Sequence, residues 1–449
     1  MTKSFSVLLR GGQCVLPEGI KTLDIGIKGE KIAEIGNLRD ASAEKVWDVS
    51  GLHLLPGLID PQVHFRDPGF PLKEDFESGT RGAVLGGITS VFEMPNTLPP
   101  TVSKEAYEKK WGRALGKIWC DLGLFVGATP DNAEQLAELE RLPGCPGVKM
   151  FMGKSTGNLL VHEEKDLHRV LSSGSRRIAV HAEDEERLLA RRKLVRAGDP
   201  SSHPLWRDEE SAFRATHRLL KISREYRRPV HVLHITTEEE IELLRNNREL
   251  ATFECTPQHL TLTAPECYRD LGTFAQMNPP IRERRHKQAL WQAVTDGLTD
   301  ALGSDHAPHT IEEKRQPYPE SPAGMTGVQT LVPIMLDHVN KGKLSLQRLV
   351  SLCATGPATI YGRKHKGFLR QNFDADITVI DLKKSQDIQN DQIASKCGWT
   401  PFNGQRVTGW PVGTIIRGSI VMREGQLMGE PSGLPVEFSP QPLSTEDHS

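Results

Sequence analysis

Three histidines, a lysine and an aspartate stand in or just after short apolar runs of this 449-residue chain. His64 follows the run 54–60, Lys149 lies within 147–151, His181 ends 178–181, His234 ends 230–234 and Asp305 follows 301–304. Neutral imidazole and carboxylate are ligands that suit zinc and similar ions. Lys149 sits between Val148 and Met150, where apolar neighbours favour the neutral amine. Read singly, each residue has a plainer role. A histidine can be satisfied in a core or loop, a lysine stem can run out of a sheet, and an aspartate can cap the next segment. Gathered on one face, the five read as a metal site.

Elements must exist to gather them. Apolar runs at 54–60, 88–93, 121–126, 147–151, 178–181, 230–234, 251–255 and 301–304 alternate with amphipathic segments at 104–115, 131–142, 184–197, 211–227 and 237–247. Such alternation implies parallel pairing. Eight units over about 300 residues predict an α/β fold of the (β/α)8 TIM-barrel type, with the active site at the C-terminal ends of the strands. An open doubly wound sheet expects a glycine-rich loop after its first strand. Here Asp60-Pro61-Gln62-Val63-His64 has no glycine. Both ends of the chain alternate apolar and polar residues, at 6–10 and 22–35 and again at 376–380 and 413–422. They predict a small β-sandwich domain formed by both termini, against the alternative of two unrelated extensions. The expected boundaries are 1–54 plus 366–435 for that domain, 55–365 for the barrel, and 436–449 for a polar tail.

Composition narrows the partners. Lys plus Arg number 56 and Asp plus Glu 58, for a net charge of -2, which argues against broad capture of nucleic acid or a membrane surface. The basic clusters 191–193 and 284–287 read as solvated faces. No window is apolar enough to span a bilayer, and the first residues lack the apolar core of a signal peptide, so a cytoplasmic protein is expected. The seven cysteines are odd in number and have no Cys-x-x-Cys spacing. Neither disulfides nor a thiolate zinc site is signalled, and Cys255 and Cys353 read as core filler.

The motifs also carry a family resemblance. The stretch from Pro56 to Gly69, PGLIDPQVHFRDPG, resembles the first metal motif of the cyclic amidohydrolases, and of dihydroorotases in particular. Glu93-Met94-Pro95-Asn96-Thr97, Met277-Asn278-Pro279-Pro280-Ile281-Arg282 and the run from Gly303 to His309 resemble three further dihydroorotase motifs. The likeness runs in order from about residue 5 to 430. It implies one or two Zn2+ ions, with His64 on the first ion, an N-carboxylated Lys149 bridging, and His181 and His234 on the second. Asp305 would be both ligand and proton shuttle. It further implies that Arg66 and Asn96 bind the substrate carboxylate, and that Asn278 and His309 bind the ring amide and carbonyl. The reaction implied is reversible hydrolysis of (S)-dihydroorotate to N-carbamoyl-L-aspartate in pyrimidine biosynthesis. Allantoinases and hydantoinases are the nearest rivals, because they share the barrel and the lysine. One position departs from the family's Asp-x-His-x-His pattern: Gln62 replaces the first histidine. A glutamine carbonyl is a weaker zinc ligand than imidazole, so one tight ion and a second at partial occupancy are expected. Gln62 also leaves open a non-catalytic partner of aspartate transcarbamoylase. Two assemblies stay open, a homodimer and association with that transcarbamoylase. The loop 309–324, with prolines at 317, 319 and 322, is expected to cover the site.

Overall fold

The computed structural model describes residues 4–155 and 159–439. Eight parallel strands form the barrel: β1 (Leu58–Val63), β2 (Ile88–Glu93), β3 (Asp121–Leu124, continued at Val126–Gly127), β4 (Val148–Phe151), β5 (Ile178–His181), β6 (Val230–Val232), β7 (Ala251–Cys255) and β8 (Ala301–Leu302). The two segments of β3 join a three-stranded arc to a six-stranded one. A parallel bridge between Val63 and His306 closes the circle. The backbone N–H of His64 donates to the His306 carbonyl there, at 2.7 Å. Nearly every strand residue is buried. Helices cover the outside of the sheet, which is why these strands read as unbroken apolar runs rather than alternating ones.

The helices follow their local signals. Glu209–Tyr226 starts where the Asp208 carboxylate accepts from the Ser211 N–H, and ends at Arg227 in a left-handed conformation. Its buried face includes Ala212, Ala215, Leu219, Leu220 and Ile222. Each of the larger aliphatic residues contributes roughly 1.5–3 kcal/mol by leaving water. Two expected helices come out shorter. The segment 131–142 becomes a 3-10 turn, Pro130–Gln135, then Leu136–Leu139, because Thr129 and Asn132 form a capping box around the proline start. The segment 184–197 ends as a helix at Arg191 with one 3-10 turn, Arg192–Leu194, where three consecutive basic residues crowd like charges.

The chain's two ends build one nine-stranded sheet. The strand His53–Pro56 pairs antiparallel with Ile377–Asp387, placing Leu54 opposite Val379. Val7, Leu9, Ile25, Ile27, Trp47, Leu54, Ile377 and Ile415 fill the interior of this β-sandwich. The first part of the expected polar tail needs correction. Residues 432–439 run as a strap along the start of β3. The Leu122 N–H donates to the Leu434 carbonyl and the Val436 N–H to the Leu122 carbonyl (3.0 and 2.9 Å). Val436 is buried, and Phe438 meets Phe92 edge-on at 5.2 Å. Apolar burial and strand-like backbone pairing hold this segment despite Pro435 and its polar residues; 440–449 lie outside the described residues. All seven cysteines are buried and unbridged. Among the described residues no helix is long and apolar enough to cross a membrane.

Candidate active site

The C-terminal ends of the barrel strands converge on a cavity of about 340 Å³. Gln62, His64, Arg66, Asn96, Lys149, His181, His234, Asn278 and Asp305 all line it. The backbone is forced to bring three of them there. Arg66, His234 and Asp305 have φ of 61°, 40° and 44°, a left-handed conformation that costs a non-glycine residue about 1–3 kcal/mol. His234 was expected to end its strand, but β6 stops at Val232 and the chain turns before His234. Close approach also matters at Gly303. A Cβ there would lie 2.6 Å from Glu254 Oε1 and 3.0 Å from Gln62 Cβ, so glycine lets β1 and β7 crowd the end of β8. Buried Asp60 ties the same region by accepting from the N–H groups of Gln62 and Ser304 (3.2 and 2.9 Å).

Hydrogen bonds fix which ring nitrogens face the cavity. His64 Nδ1 lies 2.7 Å from Asn96 Oδ1, an acceptor, so Nδ1 carries the proton. Its bare Nε2 then faces Asp305 Oδ1 at 3.2 Å. Burial holds this imidazole neutral, with its pKa pushed down to about 4. His181 Nε2 donates to Glu183 Oε2 at 2.8 Å, which leaves Nδ1 bare and facing His234 Nε2 at 3.1 Å. Lone pairs therefore meet at His64 Nε2 and Asp305 Oδ1, an arrangement that a cation relieves, whereas His234 Nε2–H can donate to His181 Nδ1. Between those groups Lys149 Nζ is fully buried, hydrogen-bonds to nothing, and lies 4.5 Å from the Phe151 ring centre. Burial pushes its pKa down to about 7. The side chain of Gln62 donates from Nε2 to Asp305 Oδ1 (3.1 Å), and its carbonyl Oε1 is buried without a partner.

Among the described residues no three His, Cys, Asp or Glu side chains form a ready metal cage. The donors come instead as two pairs, His64 with Asp305 and His181 with His234. The donor missing from each pair is what a carboxylated lysine between them would supply. The orphaned amine of Lys149 and the orphaned Nδ1 of His234 and Oε1 of Gln62 make the residue set a fit for such a group.

On the substrate side, Arg66 is 2% exposed. It donates to the Pro308 carbonyl at 3.2 Å and lies 3.4 Å from His309 Nε2. His309 was expected at the ring amide. Its Nε2 lies 3.4 Å from Arg66 and its Nδ1 3.6 Å from Glu313, and its ring lies against Gly324 of the loop 309–324. That loop does contribute Ala323 and Gly324 to the wall. Three residues that hold the site were missed in the sequence. His203 Nε2 lies 3.0 Å from Asn278 Oδ1 and 3.1 Å from the Met277 carbonyl, and so orients the Asn278 amide. Glu183 and Arg207 back His181. Only Glu183 had a local signal, since it lies two residues beyond His181 and on the same side of the chain. A second, more open cavity adjoins the first through Ser155, Asn278 and Ala323, and its wall mixes Leu188, Leu189, Trp206 and Tyr318 with charged Glu185 and Arg192.

Residues 53–421 match the Amidohydrolase family. The dihydroorotase of Methanothermobacter thermautotrophicus is 36% identical over 411 residues, covering 91% of this chain and 92% of that protein. The L-hydantoinase of Paenarthrobacter aurescens is 30% identical over 447 residues, with 95% and 96% covered. Among solved structures, L-hydantoinase (dihydropyrimidinase) from Arthrobacter aurescens superposes with a TM-score of 0.92 at 29% identity, over 96% of this chain and 100% of that one.

Proposed function

Because the chain belongs to the amidohydrolase family and is a hydrolase of cyclic amides, we propose that it opens (S)-dihydroorotate reversibly to N-carbamoyl-L-aspartate, as a zinc enzyme of pyrimidine synthesis. The observation that carries this reading is Arg66. A buried guanidinium lines the cavity and, among the described residues, donates only to a carbonyl and a neutral imidazole. A buried cation without an ion pair is costly, and a substrate carboxylate would complete it with a two-pronged charge-assisted contact. The ring of dihydroorotate bears such a carboxylate. The 33–36% identity to several archaeal dihydroorotases supports the same choice.

His64, His181, His234 and Asp305, with Lys149 N-carboxylated, would hold the metal, and Gln62 Oε1 would be a weak further donor. Zinc held there would supply a polarised ring carbonyl and a water with a pKa near about 7. The chain's own groups do the rest. Arg66 binds the carboxylate, and Asn278, oriented by His203, donates to the ring. Asp305 Oδ1 accepts from Gln62 Nε2, which leaves Oδ2 to work on protons. It takes one from water as the water oxygen bonds the carbonyl carbon, and delivers it to the ring nitrogen as the C–N bond breaks. The reverse steps close the ring.

Arg66→Ala should raise KM for dihydroorotate about 10- to 100-fold, the loss of a charged hydrogen-bonded contact of roughly 1.5–3 kcal/mol, with zinc content unchanged. An unmoved KM would remove Arg66 from the carboxylate site. The apolar part of the adjoining cavity, Leu188, Leu189, Trp206 and Tyr318, favours a second reading, a hydantoinase acting on rings with bulky apolar substituents. The deciding experiment assays dihydroorotate, carbamoyl-aspartate and 5-benzylhydantoin on one preparation of measured zinc content, before and after chelation. Turnover of dihydroorotate alone, lost on chelation and restored by zinc, supports the first reading. Preference for the benzyl compound replaces it with the second.

A further inference from the structure

We propose that Glu183, clamped by Arg207, is a positioning residue that keeps the ring proton of His181 on Nε2 and so presents Nδ1 to the metal. This rests on the reading of the site as a metal centre. Glu183 is fully buried, and every described contact of its carboxylate is a donor. His181 Nε2 approaches Oε2 at 2.8 Å, and Arg207 Nε approaches both oxygens at 3.1 Å, with the second arm of the guanidinium also on Oε2. Burial opposes the charge of this carboxylate, but Arg207 and His181 together hold it well below the usual range.

Arg207 is itself fixed. It is 2% exposed, the same Nη2 that meets Glu183 also donates to the Lys154 carbonyl at 2.9 Å, and its guanidinium lies 5.2 Å from the Trp206 ring centre. Arg282, in the Asn278 segment, donates to the backbone carbonyls of Arg207 and Asp208 and to Thr236 Oγ1. The orientation of His181 is therefore set from a segment 24 to 26 residues away. A carboxylate behind an imidazole fixes its tautomer and raises its basicity, and loss of such a partner typically weakens metal binding 10- to 100-fold.

The isosteric change Glu183→Gln makes an unusual prediction. Arginine cannot give up its protons, so Arg207 claims the amide oxygen. The amide NH2 then points at His181, whose Nε2 must accept rather than donate. The ring proton moves to Nδ1, the atom that faces His234. The test uses the full-length protein and zinc as the probe. Selective 15N-histidine labelling reads which nitrogen of His181 is protonated without metal, and chelator competition reads zinc affinity. Wild type should show the proton on Nε2. Glu183→Gln should show it on Nδ1, with zinc affinity lower by about 10- to 100-fold and circular dichroism unchanged. Arg207→Lys, which keeps the positive charge, should keep the wild-type tautomer and lose less affinity, a rescue that a purely structural role would not give. A Glu183→Gln protein that holds zinc as wild type does, or keeps its proton on Nε2, overturns the proposal. If wild type binds no zinc, the metal reading falls, and the tautomer spectra still decide the role of Glu183.

Discussion

Lys149→Ala should lower turnover by at least about a thousand-fold and strip the site of metal in the same step. A bound cation contributes several kcal/mol of transition-state stabilisation, and each 1.4 kcal/mol is a factor of ten. In the proposed zinc enzyme the lysine is central because, carboxylated, it would complete the donor set. It is also unusual as a lysine. Its amine is fully buried, makes no hydrogen bond, and has its pKa pushed down to about 7. Such an amine is half neutral near pH 7, and the neutral form is the one that adds CO2, releasing a proton and leaving a carbamate with two oxygen donors. The sign of the pH effect follows. Reconstitution of CO2-free protein with bicarbonate and zinc should speed up as pH rises through about 7, then level off once the amine is neutral. The measurement is kcat with zinc content on the same samples. A Lys149→Ala enzyme within ten-fold of wild type, still holding its metal, would show that this amine is only a buried core residue.

Asp305→Asn should lower kcat by about 10²- to 10⁴-fold, the range for loss of one general acid–base group, with a much smaller change in KM. The substitution is chosen for shape. An asparagine carbonyl still accepts from Gln62 Nε2, so the left-handed turn at this residue and the seating of β8 are preserved. What disappears is the oxygen that carries a proton between water and the ring nitrogen. Steady-state kinetics on dihydroorotate would read the split between kcat and KM. A fall in kcat/KM caused by KM alone would reassign Asp305 to substrate binding.

The barrel was legible because its strands are covered on both faces. Ile178-Ala179-Val180-His181 reads as one apolar run ending in a histidine that lines the cavity, and the eight such runs supply the order of the sheet. Site residues near strand ends, such as His64 and Asp305, could be read from position alone. What the sequence hides is contact across long separations. Nothing near Arg207 says that it grips Glu183, 24 residues earlier. Nothing near His203 points to Asn278, 75 residues later. The strap at 432–439 was obscured in another way. Its proline and polar residues look like a tail, and its burial comes from pairing with β3 rather than from its own pattern.

That strap affects how the protein is made. Synthesis delivers the eight strands in order and the strap more than a hundred residues after β8. Until Phe438 clears the ribosome, Phe92, Phe125 and Tyr361, which pack together in the finished fold, lack part of their cover. The nascent barrel is thus nearly complete in length while one end still shows aromatic surface. This is the interval in which sticking to a neighbouring chain competes with folding, and in which a chaperone that holds apolar surface would have most to offer.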